Sequence, residues 1–307
     1  MPVRIRQKIQ TLPRPGGLTN GLNLEASTAR SDALASLEKA FQISGIENPA
    51  REARISLCAA SGLSPVALIV DPEEPLGSVA ERVQEVAARR ASGEPLSRIV
   101  GKREFWGLSF AVTPHVLDPR PETETIVEAA LSILGGRRED PLRILDLGVG
   151  SGALLCALLT EFGQSRGMGI DISAEAADVA QGNLRACGLS LRAEIRLGDW
   201  TRGIEGRFDL IVSNPPYIPT VDLAGLPREV REFDPWLALD GGIDGLAAYR
   251  RILPESRRLL APGGWLFAEL GAGQAADVAA LASQCGFTDV RTYQDLAGVD
   301  RVVAVRS

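Results

Sequence analysis

The chain has 307 residues, 45% of them hydrophobic, and sets 33 basic side chains against 39 acidic ones for a formal charge of −6, with a pI near 5.1. That length and apolar content suffice for one large or two unequal globular domains. The acidic balance disfavours a broad phosphate-binding surface and any direct, stable nucleic-acid binding. No apolar run approaches the roughly 20 residues that span a bilayer, so a soluble protein without membrane contact is expected. Cys58, Cys156, Cys187 and Cys285 stand far apart with no CxxC or metal-ligand spacing, which reads as reduced core thiols of a cytoplasmic protein with no metal site.

Residues 1–30 read as a basic tail: Arg4, Arg6, Lys8 and Arg14 precede the first acid, and "PRPGGLTNG" follows them. The charge resembles a targeting segment, but the apolar stripe is weak and composition favours a flexible tail. Residues 31–95 carry helical patterning, with Leu34, Leu37 and Phe41 on one face, then Ile55 and Cys58, then Leu76, Val79, Val83 and Val86. Starts are expected at Ser31 and Pro75, and breaks at "SGLSP" and "DPEEP", which hold cap and turn residues. In residues 96–118 the texture changes: "GKREFWGLSFAVTP" alternates aromatic and β-branched residues about Gly107, as in a hairpin, and we assign it to a linker.

From residue 119 to 307 strand-like and helical segments alternate. "RILDLG", "GMGIDI", "AEIRLGD", "FDLIVSNPP", "GGWLFAEL", "DVRTYQD" and "RVVAVR" read as strands, and Ser151 to Phe162, Ala174 to Cys187, Asp244 to Leu260 and Gly273 to Cys285 as helices. Such alternation predicts an α/β, Rossmann-like, mostly parallel sheet with ligand sites at the carboxyl ends of its strands. The last two strands leave no room for a helix between them, so the last strand should run antiparallel.

Three strand ends carry candidate ligand groups. "DLGVGSG" places Gly148, Val149, Gly150, Ser151 and Gly152 between a strand and a helix. Its glycines permit a tight turn and close ligand approach, leaving helix amides free to face the ligand, and the GxGxG spacing departs from the dinucleotide GxGxxG. Asp171 ends the next strand, where a carboxylate either accepts the two hydroxyls of a ribose or caps the following helix. Asp199 and Trp200 end the third, offering an acid and an indole to a ring-shaped ligand, although an isolated Trp at such a place is ordinarily core filler. Together the three ends resemble the class I S-adenosylmethionine-dependent methyltransferases.

"SNPPY" at the end of the fourth strand resembles, more narrowly, the signature of methyltransferases that modify a planar amide or exocyclic amine nitrogen. Such a nitrogen has a delocalised lone pair and must be held in line with the methyl donor. The Asn214 side-chain carbonyl and the Pro215 backbone carbonyl can each accept one N–H of an NH₂ group and stabilise the positive charge that develops on it. Pro215 and Pro216 stiffen the loop and donate nothing, and Tyr217 can lie on the flat amide face. Taken without the preceding strand ends, the same residues would be an ordinary proline turn.

"GEPLSRIVGKREFWGLSFAVTPHVLDPRPETE", "REVREFDPWLALDGGIDGLAAYRRIL", "LAPGGWLFAELGAGQ" and "QDLAGVDRVVAVR" resemble the HemK/PrmC family of release-factor glutamine methyltransferases, from about residue 31 to the end. The resemblance implies a small N-terminal helical substrate-recognition domain, S-adenosylmethionine as cofactor, and a class 1 peptide chain release factor as protein partner. The group methylated would be the side-chain amide of the glutamine in its Gly-Gly-Gln motif. It also implies that Arg120 and Glu122 orient a loop over the cofactor, with Arg120 among the substrate contacts. The simpler expectation for Arg120 and Glu122 is a surface ion pair. Two residues depart from the family pattern: Arg98 stands where Tyr or His is usual, and Asp118 where an apolar residue is. The single histidine, His115, reads as incidental. Competing expectations are an adenine-N6 nucleic-acid methyltransferase, a ribosomal-protein glutamine methyltransferase, and a noncatalytic module that binds translation factors.

Overall fold

A computed structural model describes residues 22–307. Arg4, Arg6, Lys8 and Arg14 of the expected tail lie outside the described residues. The described residues divide into two compact units, between Val100 and Gly101.

The first unit holds α1 (Arg30–Ile43), α2 (Pro49–Ser61), α3 (Pro65–Val70), α4 (Ala80–Ala91) and α5 (Leu96–Val100). Leu37, Phe41, Leu57 and Val83 are fully buried in its core, removing apolar surface from water at about 25 cal/mol per Å². The break at "SGLSP" uses Ser64 as a cap, whose hydroxyl accepts the Ala67 N–H ahead of Pro65. Other expectations shift. Ile55 is turned outward, because α2 buries Ala53, Ser56, Leu57 and Ala60 instead. The helical start expected at Pro75 falls two residues later, in the turn Gly77–Val79 that runs into α4. Ser31 provides no cap: α1 starts one residue earlier, over Ala29, without a side-chain bond.

The second unit opens with the hairpin, β1 (Lys102–Phe105) and β2 (Leu108–Ala111). Trp106 and Gly107 both have positive φ, 50° and 68°, as a two-residue turn that matches strand twist requires. For Trp106 that conformation costs about 1–2 kcal/mol. It is offset by its backbone N–H on Glu124 Oε1 at 2.7 Å and its indole N–H on Glu161 Oε1 at 2.8 Å.

The remaining elements are α6 (Glu124–Leu134), β3 (Arg143–Leu147), α7 (Ala153–Glu161), β4 (Arg166–Asp171), α8 (Ala174–Ala186), β5 (Ala193–Leu197) and β6 (Phe208–Ser213). After them come α9 (Arg228–Phe233), α10 (Ala247–Leu259), β7 (Leu260–Glu269), α11 (Ala275–Gln284), β8 (Asp289–Gln294) and β9 (Asp300–Arg306). The seven-stranded sheet has the order β5-β4-β3-β6-β7-β9-β8. Strands β5 to β7 pair in parallel, and β9 runs antiparallel to both β7 and β8, as the short β8–β9 connection demands. Both faces are buried. Ile144, Leu210, Val212 and Phe267 pack into one apolar layer and Leu145, Ile211, Leu266 and Ala268 into the other, the period of two that a doubly covered sheet imposes.

Strand β4 carries Gly169 for a steric reason: a Cβ there would lie 2.7 Å from Val149 Cγ2 and 2.8 Å from Ile195 Cδ1. The loop that follows β3 therefore sits directly against β4. The chain leaves β3 toward β4 and β5 and returns at β6 on the other side, so the carboxyl ends of β3 and β6 flank a topological switch point.

Candidate active site

At the end of β3 the loop closes on itself. Gly148, Gly150 and Gly152 have φ of 75°, 53° and 79°, a region L side chains rarely enter. The N–H groups of Gly148 and Val149 share the Ile170 carbonyl at 2.9 Å, and the Gly150 N–H donates to Asp171 Oδ2 at 2.9 Å. Those three amides hold the loop to β4. Gly152 allows the closest approach: a Cβ there would meet Ala180 of α8 at 3.3 Å. Ser151 is buried and its carbonyl accepts from Asn183 Nδ2 at 2.8 Å. The same Asn183 amide bonds both backbone groups of Ala111, so one buried side chain joins the glycine loop to the hairpin.

Asp171 uses its second oxygen to accept the Ser173 N–H at 2.9 Å, while Ser173 itself caps α8 by accepting from Ala176. Capping thus falls to Ser173, and the Asp171 carboxylate bridges two loops with lone pairs to spare. Trp200 stands in a left-handed conformation, φ 52°. Its indole edge lies 3.7 Å from where a Cβ on Gly148 would be, and it also packs on the apolar layer beneath. Asp199 pairs through Oδ2 with Arg251 at 2.8 Å. Two carboxylate oxygens at these strand ends, Asp146 Oδ2 and Asp199 Oδ1, are buried without a hydrogen-bond partner. Burial, and next the charge of Asp171, push Asp146 up to about 8.

Across the switch point Ser213 is buried, and its hydroxyl donates to the Leu147 carbonyl at 2.7 Å, fixing the end of β6 beside the glycine loop. Next comes Asn214, half-buried, whose Nδ2 donates to Thr123 Oγ1 at 3.0 Å. Thr123 in turn donates to Glu269 Oε2 at 2.5 Å, and the Tyr217 hydroxyl donates to Glu269 Oε1 at 3.2 Å. The Tyr217 carbonyl accepts from Gln274 Nε2 at 2.9 Å. Burial pushes the Tyr217 phenol up, and the Glu269 charge adds to it. Glu269, 1% exposed, is itself raised to about 7. Burial is the cause, opposed by the bonds from Thr123 and Tyr217 and by the charge of Arg301. Neither Asn214 Oδ1 nor the Pro215 carbonyl takes a hydrogen bond from any described residue.

Asn214, Tyr217, Arg120, Glu122, Glu269 and Arg301 line one cleft of about 260 Å³. Arg120 reaches it by pairing with the buried carboxylate of Asp234 at 2.6 Å. The expected surface pair with Glu122 is replaced by a contact 114 residues away in sequence. Asp118 is buried, with Arg103 Nη1 4.0 Å from its carboxylate, and His115 is exposed. Thr123, Asn183, Asp234, Glu269 and Gln274 had no role from sequence. Glu269 left a signal, an acid at the carboxyl end of an otherwise apolar strand; the others left none.

Solved structures with this fold include the hMettl16 catalytic domain in complex with MAT2A 3'UTR hairpin 6, at TM-score 0.56 and 17% identity, covering 71% of this chain and 81% of that one. Another is the T. thermophilus 16S rRNA methyltransferase RsmC in complex with AdoMet and guanosine, at TM-score 0.51 and 21% identity, covering 67% and 49%. The second unit therefore has the class I methyltransferase fold. Residues 32–101 match the PrmC N-terminal domain, and residues 131–224 the methyltransferase small domain. The release factor glutamine methyltransferase of Rhodospirillum rubrum is 47% identical over 87% of this chain and 81% of its own length. That of Bradyrhizobium diazoefficiens is 42% identical over 96% and 98%. The chain belongs to the family of release factor glutamine methyltransferases. Among the described residues no helix is long and apolar enough to cross a membrane.

Proposed function

We propose that the protein methylates the side-chain amide nitrogen, N5, of the glutamine in the Gly-Gly-Gln motif of class 1 peptide chain release factors, with S-adenosylmethionine as methyl donor. One observation carries this reading: Asn214 lines the cleft with its Nδ2 already given to Thr123, and its Oδ1 and the adjoining Pro215 carbonyl take no hydrogen bond from any described residue. An NH₂ group has two hydrogens to give, and a pair of acceptors suits it.

The residues at the carboxyl ends of β3, β4 and β5 suit the cofactor. Its ribose hydroxyls and amines are donors, and the unpartnered oxygens of Asp146 and Asp199 lack donors; its positive charge would relieve the repulsion between Asp146 and Asp171. Gly148, Val149, Gly150, Ser151 and Gly152, with Asp171, Asp199, Trp200 and Asn214, would hold it. When bound, S-adenosylmethionine supplies an electrophilic methyl group on a sulfonium.

On the substrate side Asn214 and Pro215 orient the nitrogen, Pro216 keeps the loop stiff, and Tyr217 covers the amide face. Charge developing on the nitrogen is stabilised by acceptors already in place. Arg120, tied to Asp234, contributes to the rim of the cleft. We assign substrate recognition to the helical part, residues 31–95, a linker to residues 96–118, and catalysis to 119–307. The four cysteines are free thiols, which suits a cytoplasmic location.

The test is a panel: labelled S-adenosylmethionine with release factor, ribosomal proteins and DNA in separate reactions. Label is expected in the release factor. Label in DNA or a ribosomal protein, with none in the release factor, overturns the reading.

A further inference from the structure

Asn214 can present either end of its amide to the cleft. The two orientations differ by half a turn about the last side-chain bond and have nearly the same shape, yet one offers an acceptor and the other a donor. A donor facing a substrate NH₂ would set hydrogen against hydrogen. Something other than shape must select the orientation.

Thr123 does so by proton arithmetic. It is buried in the turn Pro121–Thr123, just ahead of α6. Its hydroxyl has a single proton, and that proton is given to Glu269 Oε2 at 2.5 Å. Toward Asn214, 3.0 Å away, Thr123 can then only accept, so it meets the NH₂ end and leaves Oδ1 outward. The direction of the chain is set at its far end, because a carboxylate has no proton to return. Glu269 sits at the end of β7, buried, and its other oxygen takes the Tyr217 hydroxyl. One carboxylate therefore orders the side chains of both Asn214 and Tyr217.

On the reading of the site given above, we propose that Thr123 and Glu269 are positioning residues: the Glu269 carboxylate aligns the Thr123 hydroxyl, and the pair holds the Asn214 amide with Oδ1 toward the substrate nitrogen. Thr123 does not line the cleft, and Glu269, 1% exposed, acts on Asn214 through Thr123. Their effect is on how often the acceptor faces the right way, and so on kcat more than on cofactor binding.

A crossed pair of variants separates orientation from packing. Thr123→Val keeps the shape and loses the hydroxyl; Thr123→Ser keeps the hydroxyl and loses the methyl. Methyl transfer, cofactor affinity by calorimetry and melting temperature are measured for both against the full-length wild type. We expect Thr123→Val to lose at least about tenfold in kcat and Thr123→Ser to stay within about threefold, with cofactor affinity unchanged in both. A packing role predicts the opposite order. Thr123→Val as active as wild type, or Thr123→Ser as impaired as Thr123→Val, overturns the proposal. The wild-type arm stands apart: if it labels DNA and not the release factor, the substrate assignment fails. The Val–Ser contrast, scored on whichever NH₂ substrate is labelled, still decides the orientation.

Discussion

The two loops that face each other across the β3–β6 switch point are built on opposite plans. The glycine loop after β3 is held mostly by the end of the next strand: Ile170 and Asp171 take three of its N–H groups, and Asn183 donates to the Ser151 carbonyl. The Asn-Pro-Pro-Tyr loop after β6 is held by side chains from far along the chain. Thr123 lies 91 residues before Asn214, and Glu269 and Gln274 lie 52 and 57 residues after Tyr217. A loop held through its backbone groups by the neighbouring strand and helix can serve any reaction that needs the same cofactor. A loop assembled from distant side chains is specific to the group it must hold, and single substitutions should disturb it selectively.

The largest expected break of that contrast is Asn214→Ala. Methyl transfer should fall at least about 100-fold, because an acceptor at the reacting nitrogen is lost, while cofactor affinity by calorimetry stays within a few-fold. Equal loss of both would mean that Asn214 serves chiefly the cofactor. On the other loop, Asp171→Asn keeps shape and removes charge. Cofactor affinity should drop by roughly tenfold, since charge-assisted hydrogen bonds are about twice as strong as neutral ones, and transfer at saturating cofactor should stay near wild type. A fall in kcat with unchanged affinity contradicts the assignment of Asp171 to the cofactor.

Acidity acts next. Glu269, raised to about 7 by burial, accepts from Thr123 and Tyr217 only when ionised. Facing it are those two hydroxyls, Arg301 from β9, and Glu122, whose charge adds to the rise. Below about pH 7 its proton turns one acceptor into a donor, so kcat should decline toward acid with a midpoint near 7. Stability should move the other way. The folded pKa values of Glu269 and Asp146, about 7 and about 8, both lie above their ordinary values of 4.5 and 3.8. The folded state therefore holds protons that the unfolded chain has released, and melting temperature should fall as pH rises from about 5 to about 8. A melting temperature that rises over that span contradicts the assigned burial of the two carboxyls.

The smallest effect is expected for Arg251→Ala. Its pair with Asp199 is largely exposed, with side-chain exposures of 55% and 34%, and should be worth under about 1 kcal/mol by denaturant titration. A loss above about 2 kcal/mol would give that pair a structural role its exposure does not suggest.

The same contrast explains what could be read in the sequence. Strand alternation, the glycine spacing and the antiparallel last strand are local patterns, and the sheet follows them closely: "RILDLG" becomes β3 at Arg143–Leu147 and "FDLIVSNPP" becomes β6 at Phe208–Ser213. Thr123 was hidden inside "PRPETE" because nothing in a threonine's neighbours says that it will stand between Asn214 and Glu269. The ion pair expected between Arg120 and Glu122 failed for the same reason: the partner of Arg120, Asp234, is close only after folding. In the helical unit Ile55 fitted the expected stripe, yet the small residues Ala53, Ser56 and Ala60 form the buried face of α2.

The most direct measurement follows the methyl group to its atom. A release factor with ¹⁵N in its glutamine side-chain amides, incubated with the protein and ¹³C-methyl S-adenosylmethionine, should give a direct ¹³C–¹⁵N coupling at the Gly-Gly-Gln glutamine. A transferred methyl without that coupling, on another residue or another atom, would contradict the amide clamp at Asn214 and Pro215.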